Sequence, residues 1–334
     1  MDHLMSSSIH TLFITGTGRS GTNILKKLMA GHSAIASLPF EYRFLIDPKG
    51  VLDFYRSYPA CWSPYRADQS IKELESFLLS LARQDDVKRN RTTAAKAKDP
   101  VGLTISPPPY SGWELEEWIP GYTEYVHELI GQLRSFSYPA IWPGTKEGVE
   151  NNEMYFTPPV SEPDLDAPVS TFIQTCLESI RKKQGKTIFQ EDNTHNMLFA
   201  SSLLKLVPEG KMVHIVRDPR DVLSSLQQQR WAPTEIEHLI AWYSGVMKTW
   251  FSEREHCQAD KIKEIRFEDL MESPKKTLNE LCSFVGIELE EQMLSIDLSQ
   301  HHQGRYKDSF IPEEVKLIER SLDWVFEEYQ YPTS

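Results

Sequence analysis

Residues 16–23 read Gly-Thr-Gly-Arg-Ser-Gly-Thr-Asn, and the chemistry they suit is phosphate binding. Glycines let a backbone turn tightly and approach an anion, and a helix that follows adds its own N-terminal N–H groups. Arg19 inside the turn, with hydroxyls at Ser20 and Thr22, adds charge-assisted donors. A second constellation lies far along the chain: Arg217 ends an apolar run, and Ser225 follows eight positions later. A guanidinium at a strand tip and a hydroxyl two turns into the next helix can converge on one phosphate. The plain alternative there is an Arg217–Asp221 ion pair beside a helix-packing serine.

The glycines alone admit more than one enzyme class. Gly16 and Gly21 have Walker spacing, but Thr22 stands where that loop needs its lysine. Gly16, Gly18 and Gly21 match the dinucleotide fingerprint, with Glu41 at about the 20-residue offset of a ribose contact. That alternative is an NAD(P)-dependent oxidoreductase. A non-catalytic nucleotide-binding protein and an ordinary tight turn also fit the loop taken by itself.

The elements that must position these groups follow from periodicity. Short apolar or β-branched runs at 11–15, 35–38, 187–190, 212–216 and 262–267 predict strands. Helical spacing predicts helices over about 70–83, 197–207, 234–254, 275–285 and 313–329. That alternation predicts an α/β fold with a parallel sheet between helices. Two stretches read as long loops of the kind that bind or cover ligands. One is 84–112, with Pro107, Pro108 and Pro109. The other is 143–168, with Pro143, Gly144, Gly148, Pro158, Pro159, Pro163 and Pro168. Trp62, Tyr65, Tyr110, Trp113, Trp118, Tyr122, Tyr125, Trp142, Tyr155 and Phe156 lie around them, as a secondary core or as the wall of an acceptor pocket.

Composition narrows the partners. With 36 Lys+Arg against 48 Asp+Glu, the formal net charge of −12 speaks against nucleic acid or an anionic membrane. It leaves room for a local basic pocket. Cys61, Cys176, Cys257 and Cys282 are scattered without a Cys-x-x-Cys pair, which predicts reduced, packed thiols and no zinc site. The His301-His302 pair has no partner spacing for a metal. No run approaches the roughly 18 apolar residues of a membrane span. Residues 1–10 lack a signal-peptide core, so a cytoplasmic protein is expected.

Two further segments complete a pattern. Ile265-Arg266-Phe267-Glu268-Asp269-Leu270 is followed by Pro274, Leu278, Leu281, Phe284, Val285 and Gly286, and a late element reads Gly304-Arg305-Tyr306-Lys307. In order, Arg19-Ser20-Gly21-Thr22, Arg217…Ser225 and these two segments resemble sulfotransferases that use 3′-phosphoadenosine-5′-phosphosulfate (PAPS). The resemblance covers about 11–45 and 187–330, and Arg19 and Glu41-x-Arg43 look like the tyrosylprotein-type members. It implies a P-loop-like three-layer fold with a central parallel sheet and a helical or loop-rich acceptor cap. It also implies one domain over 1–334, with an acceptor-binding insertion at about 46–186.

The resemblance assigns roles position by position. Arg19, Ser20, Gly21, Thr22 and Asn23 match the 5′-phosphosulfate loop, with Arg19 on the leaving phosphate. Arg217 and Ser225 match the 3′-phosphate pair, and Arg305 the late phosphate contact. Phe267 falls where the family usually has an adenine-side Tyr, so stacking is kept and the hydroxyl is lost. Glu41 matches the proposed base. The family's lysine after the strand at 187–190 is absent; Glu191-Asp192-Asn193-Thr194-His195 stands there, and His195 is a candidate substitute. The implied reaction moves a sulfuryl group from PAPS to a hydroxyl, ahead of an amine, leaving 3′,5′-bisphosphoadenosine (PAP) with no metal required. The acidic balance fits a small polar metabolite or sugar as acceptor, a cationic one included.

Overall fold

Six consecutive buried residues, Thr11–Gly16, form the central strand of the protein, and the phosphate-type turn leaves directly from its end. Such a run is buried on both faces, as strands of a parallel sheet covered by helices are. The computed structural model describes residues 9–82, 113–141, 153–298 and 303–334. The loop at 84–112 with Pro107–Pro109 and Tyr110, the features at Trp142, Pro143, Gly144 and Gly148, and the His301-His302 pair lie outside the described residues.

In chain order the strands are β1 (Thr11–Gly16), β2 (Ile35–Ser37), β3 (Phe136–Pro139), β4 (Glu153–Phe156), β5 (Ile188–Glu191), β6 (Gly210–Val216) and β7 (Ile262–Arg266). Five make one sheet in the order β2-β5-β1-β6-β7, and every neighbouring pair is parallel. The register sets Phe13 beside Met212, Ile35 beside Ile188 and Val216 beside Arg266. This is the expected α/β, P-loop-like architecture, a parallel sheet with helices on its faces.

Two compact units make up the chain. The first joins Met1–Tyr42 to Lys186–Ser334 and contains the five-stranded sheet. On one face, Leu12, Ile14, Val213, Ile215 and Ile265 pack with Leu25 and Leu28 of the Thr22–Ala30 helix and with Leu278, Leu281 and Val285 of the Pro274–Val285 helix. On the other face His214 of β6 stacks on Trp250 of the Ile236–Glu255 helix, ring centroids 4.4 Å apart. The second unit, Arg43–Gly185, holds the β3–β4 hairpin and long helices at Pro64–Ala82, Tyr122–Leu133 and Glu162–Gln184. Its core includes Phe44, Tyr122 and Phe172, in mutual edge or tilted contact at 5.9–6.3 Å. Tyr122 is therefore a core residue of this unit. Among the described residues no helix is long and apolar enough to cross a membrane.

Three expectations are corrected. The described part of 143–168 is a loop only at 157–161: β4 occupies Glu153–Phe156, and a helix starts at Glu162. The Asp164 carboxylate accepts the Ser161 N–H at 2.7 Å, and Pro163 sits in the first turn, where no N–H is needed. Pro168 forfeits one backbone bond, but the buried stripe Leu165, Val169, Phe172, Ile173, Cys176, Leu177 and Ile180 outweighs it. The helix expected over 313–329 is two, Pro312–Ser321 and Asp323–Glu328, broken at Leu322 with φ −119°. Asp323 Oδ1 accepts the Trp324 N–H at 2.7 Å, a local bond that competes with helix continuation. The helix expected over 197–207 begins only at Ala200, after a 3₁₀ stretch at Thr194–Phe199. Thr15 Oγ1 ties that stretch to β1, accepting the Met197 N–H at 2.8 Å and donating to the Thr194 carbonyl at 2.7 Å.

Candidate active site

Because all five strands are parallel, the residues that follow their C-terminal ends share one edge of the sheet. Those residues are the turn at 17–21 after β1, Glu41 after β2, Asp192–His195 after β5, Arg217 after β6 and Phe267 after β7. The chain runs from β1 to the β5–β2 side and returns across β1 to β6 and β7. The switch point therefore lies beside β1, where ligands of open α/β sheets bind.

The turn itself is a cradle. Gly18, Arg19 and Gly21 have φ of 80°, 60° and 109°. Successive amides in such a conformation converge on an anion. Arg19 adopts this region without a glycine's freedom, at a cost of about 1–3 kcal/mol. A Cβ on Gly21 would come within 2.5 Å of the Phe267 ring, and one on Gly16 within 2.8 Å of the Ile215 carbonyl and into Ser20 Oγ. Ser20 Oγ is buried and has no hydrogen-bond partner among the described residues. A hydroxyl left so in a loop of this shape fits an incoming phosphate oxygen. Thr22 is buried at the start of the Thr22–Ala30 helix, and Asn23 is exposed beside it.

The two constellations read from the sequence meet. Arg19 Nε donates to Ser225 Oγ at 2.8 Å, and Arg217 Nη1 to the Arg19 carbonyl at 3.3 Å. The Arg217 guanidinium lies 4.9 Å over the Phe267 ring, which also abuts Gly21. Arg217 makes the ion pair with Asp221 as well, Nη2 to Oδ2 at 3.2 Å, as the plain alternative expects. Asp221 in turn accepts the N–H groups of Gly304 and Tyr306 at 2.8 and 3.1 Å, which places the exposed Arg305 on this segment at the same site. Asp218 caps the Pro219–Leu226 helix by accepting the Arg220 N–H at 2.9 Å, and Pro219 fills its first turn.

The remaining candidates sit on the β5 and β2 side. Glu191 ends β5, is 1% exposed, and accepts N–H groups from Tyr42 at 3.1 Å and Asn193 at 3.0 Å, with Asn196 Nδ2 on its other oxygen. Burial first, then the neighbouring Asp192 and Glu41, push its carboxyl well above the usual range. Through the Tyr42 amide it anchors the loop that carries half-buried Glu41. Arg43, the arginine of Glu41-x-Arg43, pairs with Asp47 at 3.1 Å. Asp192 pairs with Lys26 at 2.8 Å. His195 is half-buried, its N–H donates to Asn193 Oδ1 at 3.2 Å, and its ring lies 6.0 Å from Trp242.

Sequence reasoning missed Trp231. It is 56% exposed, its ring edge lies 3.4 Å from where a Cβ on Gly18 would be, and Trp242 stands 6.1 Å from it. No spacing rule links residue 231 to residue 18; only the fold brings them together. Among the described residues no three His, Cys, Asp or Glu side chains gather as a metal-sized group.

The strand order counts against the dinucleotide alternative. In that arrangement the ribose-binding acid follows the strand next to β1. Here β5 intervenes, and β2, which Glu41 follows, is two strand spacings away, about 10 Å.

A sulfotransferase family model matches residues 103–291, which take in Arg217, Ser225 and Phe267. No curated protein matches the chain in sequence. Among solved structures, the chain is similar to the sulfotransferase domain of the Synechococcus PCC 7002 olefin synthase (13% identity, 97% of this chain and 95% of that one, TM-score 0.43). It is also similar to sulfotransferase STF9 from Mycobacterium avium (13%, 99% and 79%, 0.47) and to mouse sulfotransferase SULT7A1 in complex with PAP (11%, 97% and 85%, 0.38). With the family's own model spanning more than half of its 334 residues, the chain belongs to the sulfotransferase family and is a sulfuryl-transferring enzyme.

Proposed function

We propose that this sulfotransferase takes its sulfuryl group from PAPS and transfers it to a hydroxyl of a small-molecule or sugar acceptor, releasing PAP. The observation that carries the reading is the meeting of a glycine cradle with two arginines and a serine, through Arg19–Ser225 at 2.8 Å and Arg217–Arg19 at 3.3 Å. A ligand phosphorylated at two separated positions matches that pairing. Ser20, Gly21, Thr22 and Asn23 hold the 5′-phosphate, and Arg19 neutralises the charge that grows on it as its bond to sulfur breaks. Arg217, Ser225 and Arg305 hold the 3′-phosphate, and Phe267 offers its ring to the adenine. The donor supplies an activated sulfuryl group; positioning and charge stabilisation are the protein's share.

Glu41 takes the acceptor's proton as the new oxygen–sulfur bond forms. Its support is its place at the sheet edge, on a loop pinned by Glu191. His195, beside Trp242 on the next loop, is the second candidate base. Trp231 over Gly18, with Trp242 behind it, supports an acceptor with a planar or cationic face. The Arg43–Gly185 unit interrupts the chain between the paired strands β2 and β5, which supports reading it as an insertion in one sulfotransferase domain. Acceptor selection is assigned to that insertion.

The donor reading is tested by calorimetry with PAP and with NAD. Saturable binding of PAP and none of NAD is expected; the opposite pattern would sink it. Transfer of labelled sulfate from PAPS to small-molecule acceptors then tests turnover, and PAP binding with no transfer to any acceptor would favour the non-catalytic reading. Glu41→Gln is expected to lower kcat by about 10²–10⁴ with the PAP Kd unchanged. Full turnover in that variant, with loss in His195→Gln, would move the base to His195.

A further inference from the structure

The Pro219–Leu226 helix carries more of the site than Ser225. Asp221 on it is 2% exposed, and its carboxylate takes partners from two directions. Oδ2 accepts Arg217 Nη2 at 3.2 Å and the Gly304 N–H at 2.8 Å, and Oδ1 accepts the Tyr306 N–H at 3.1 Å. Two more contacts fasten the same segment to the same helix. The Ser224 and Ser309 hydroxyls meet at 2.7 Å, and the Arg220 guanidinium lies 4.5 Å over the Tyr306 ring. Gly304, at φ 78°, supplies the turn that brings the two amides flanking Arg305 to one carboxylate.

A buried carboxylate beside an arginine that must bind an anion weakens the positive potential there. Counter-charge alone would argue for its absence. What Asp221 supplies instead is order: one side chain fixes the Arg217 fork and the backbone on both sides of Arg305. A preorganised pair of cations pays no reorganisation when the anion arrives.

The geometry points to Asp221 as a positioning residue that sets the enzyme's preference for nucleotides carrying a 3′-phosphate, by holding Arg217 and the Arg305 segment at one point. This rests on the donor reading above. The role assigned to Asp221 runs through its bonds to Arg217 and to the Gly304 and Tyr306 N–H groups.

The test is calorimetric binding of PAP and of 5′-AMP, which lacks the 3′-phosphate, to the full chain. Wild type is expected to prefer PAP. Asp221→Asn keeps the shape, removes one acceptor, and is expected to reduce that preference tenfold or more, about 1.4 kcal/mol, with the 5′-AMP Kd within about twofold of wild type. An unchanged preference overturns the inference, and tighter PAP binding overturns it too, because Asp221 would then be only a competing counter-charge. If Asp221→Asn gives no cooperative melt, Gly304→Ala decides: it leaves the Arg217–Asp221 pair intact and strains the segment, so it must lower the preference, and an unchanged value overturns the inference. A wild type with no preference for PAP overturns the donor reading, and this inference with it.

Discussion

At the scale of single residues, the site depends on forked and buried groups whose chemistry a conservative replacement does not reproduce. Arg217 reaches the Arg19 carbonyl with one terminal nitrogen and Asp221 with the other while lying over Phe267. A lysine keeps the charge but loses both the fork and the planar stacking surface. Arg217→Lys is therefore expected to weaken PAP binding by about tenfold or more, the worth of one charge-assisted bond, as read by calorimetry. Glu191 makes a different prediction. Its folded carboxyl sits above its unfolded value because it is buried beside Asp192. The native state then holds a proton that the unfolded chain releases above about pH 4.5, so stability is full below that pH and falls as pH rises. Glu191→Gln can still accept the Tyr42 and Asn193 N–H groups, and Asn196 Oδ1, buried without a partner among the described residues, is at hand for the new amide. The variant is expected to melt higher than wild type at pH 7.5, with the difference shrinking toward pH 4.5. A lower melting temperature at pH 7.5 would mean that the ionised carboxylate is the stabilising form.

At the scale of elements, the junction between β1 and the Thr22–Ala30 helix is the tightest point. Gly21 combines φ 109° with a contact to Phe267 that leaves no room for a methyl group. Gly21→Ala is expected to destabilise the fold by about 1–3 kcal/mol and to abolish PAP binding, because the strained turn and the displaced ring both spoil the cradle. Denaturant unfolding and calorimetry check the two effects separately; retention of wild-type affinity would show that the turn tolerates a side chain. The 3₁₀ stretch Thr194–Phe199 is the companion case. Thr15 holds it against β1, so that Thr194 lies beside Gly18, and Thr194 and His195 stay out of the helix at Ala200–Leu206.

At the scale of the whole molecule, the central sheet contains a weak point toward acid. His214 in β6 is fully buried against Trp250, and both ring nitrogens lack hydrogen-bond partners among the described residues. Burial pulls its pKa down to about 4, although Glu264 nearby favours the charged form; Arg254 adds to the depression. The unfolded chain takes up a proton near pH 6.5 that the native state refuses until about pH 4, so stability falls as pH drops through that window. At about 1.4 kcal/mol per unit, the loss approaches 3 kcal/mol at its lower end. His214→Phe keeps a ring against Trp250 and is expected to flatten the fall in melting temperature between pH 7 and pH 5. An unchanged pH slope would place the acid sensitivity elsewhere.

Local sequence was enough to set the strand–turn–helix at 11–30, the Arg217…Ser225 spacing, the parallel α/β class and the helices at 64–82, 236–255 and 274–285, because periodicity and turn chemistry are short-range. The 162–184 helix was hidden by Pro163 and Pro168, whose local preference yields to a buried stripe that only a folded partner rewards. The break at Leu322 was hidden for a similar reason: one apolar stripe fits either one helix or two. At the site, the sequence named the cations and the candidate base but could not say that Arg19 bonds Ser225, that Asp221 joins Arg217 to the Gly304–Tyr306 backbone, or that Trp231 lies over Gly18. What the chain determined alone was which groups could hold phosphate. Which of them share one point was decided by the order β2-β5-β1-β6-β7, since a parallel sheet gathers the ends of distant strands at one edge and no local interaction records their order.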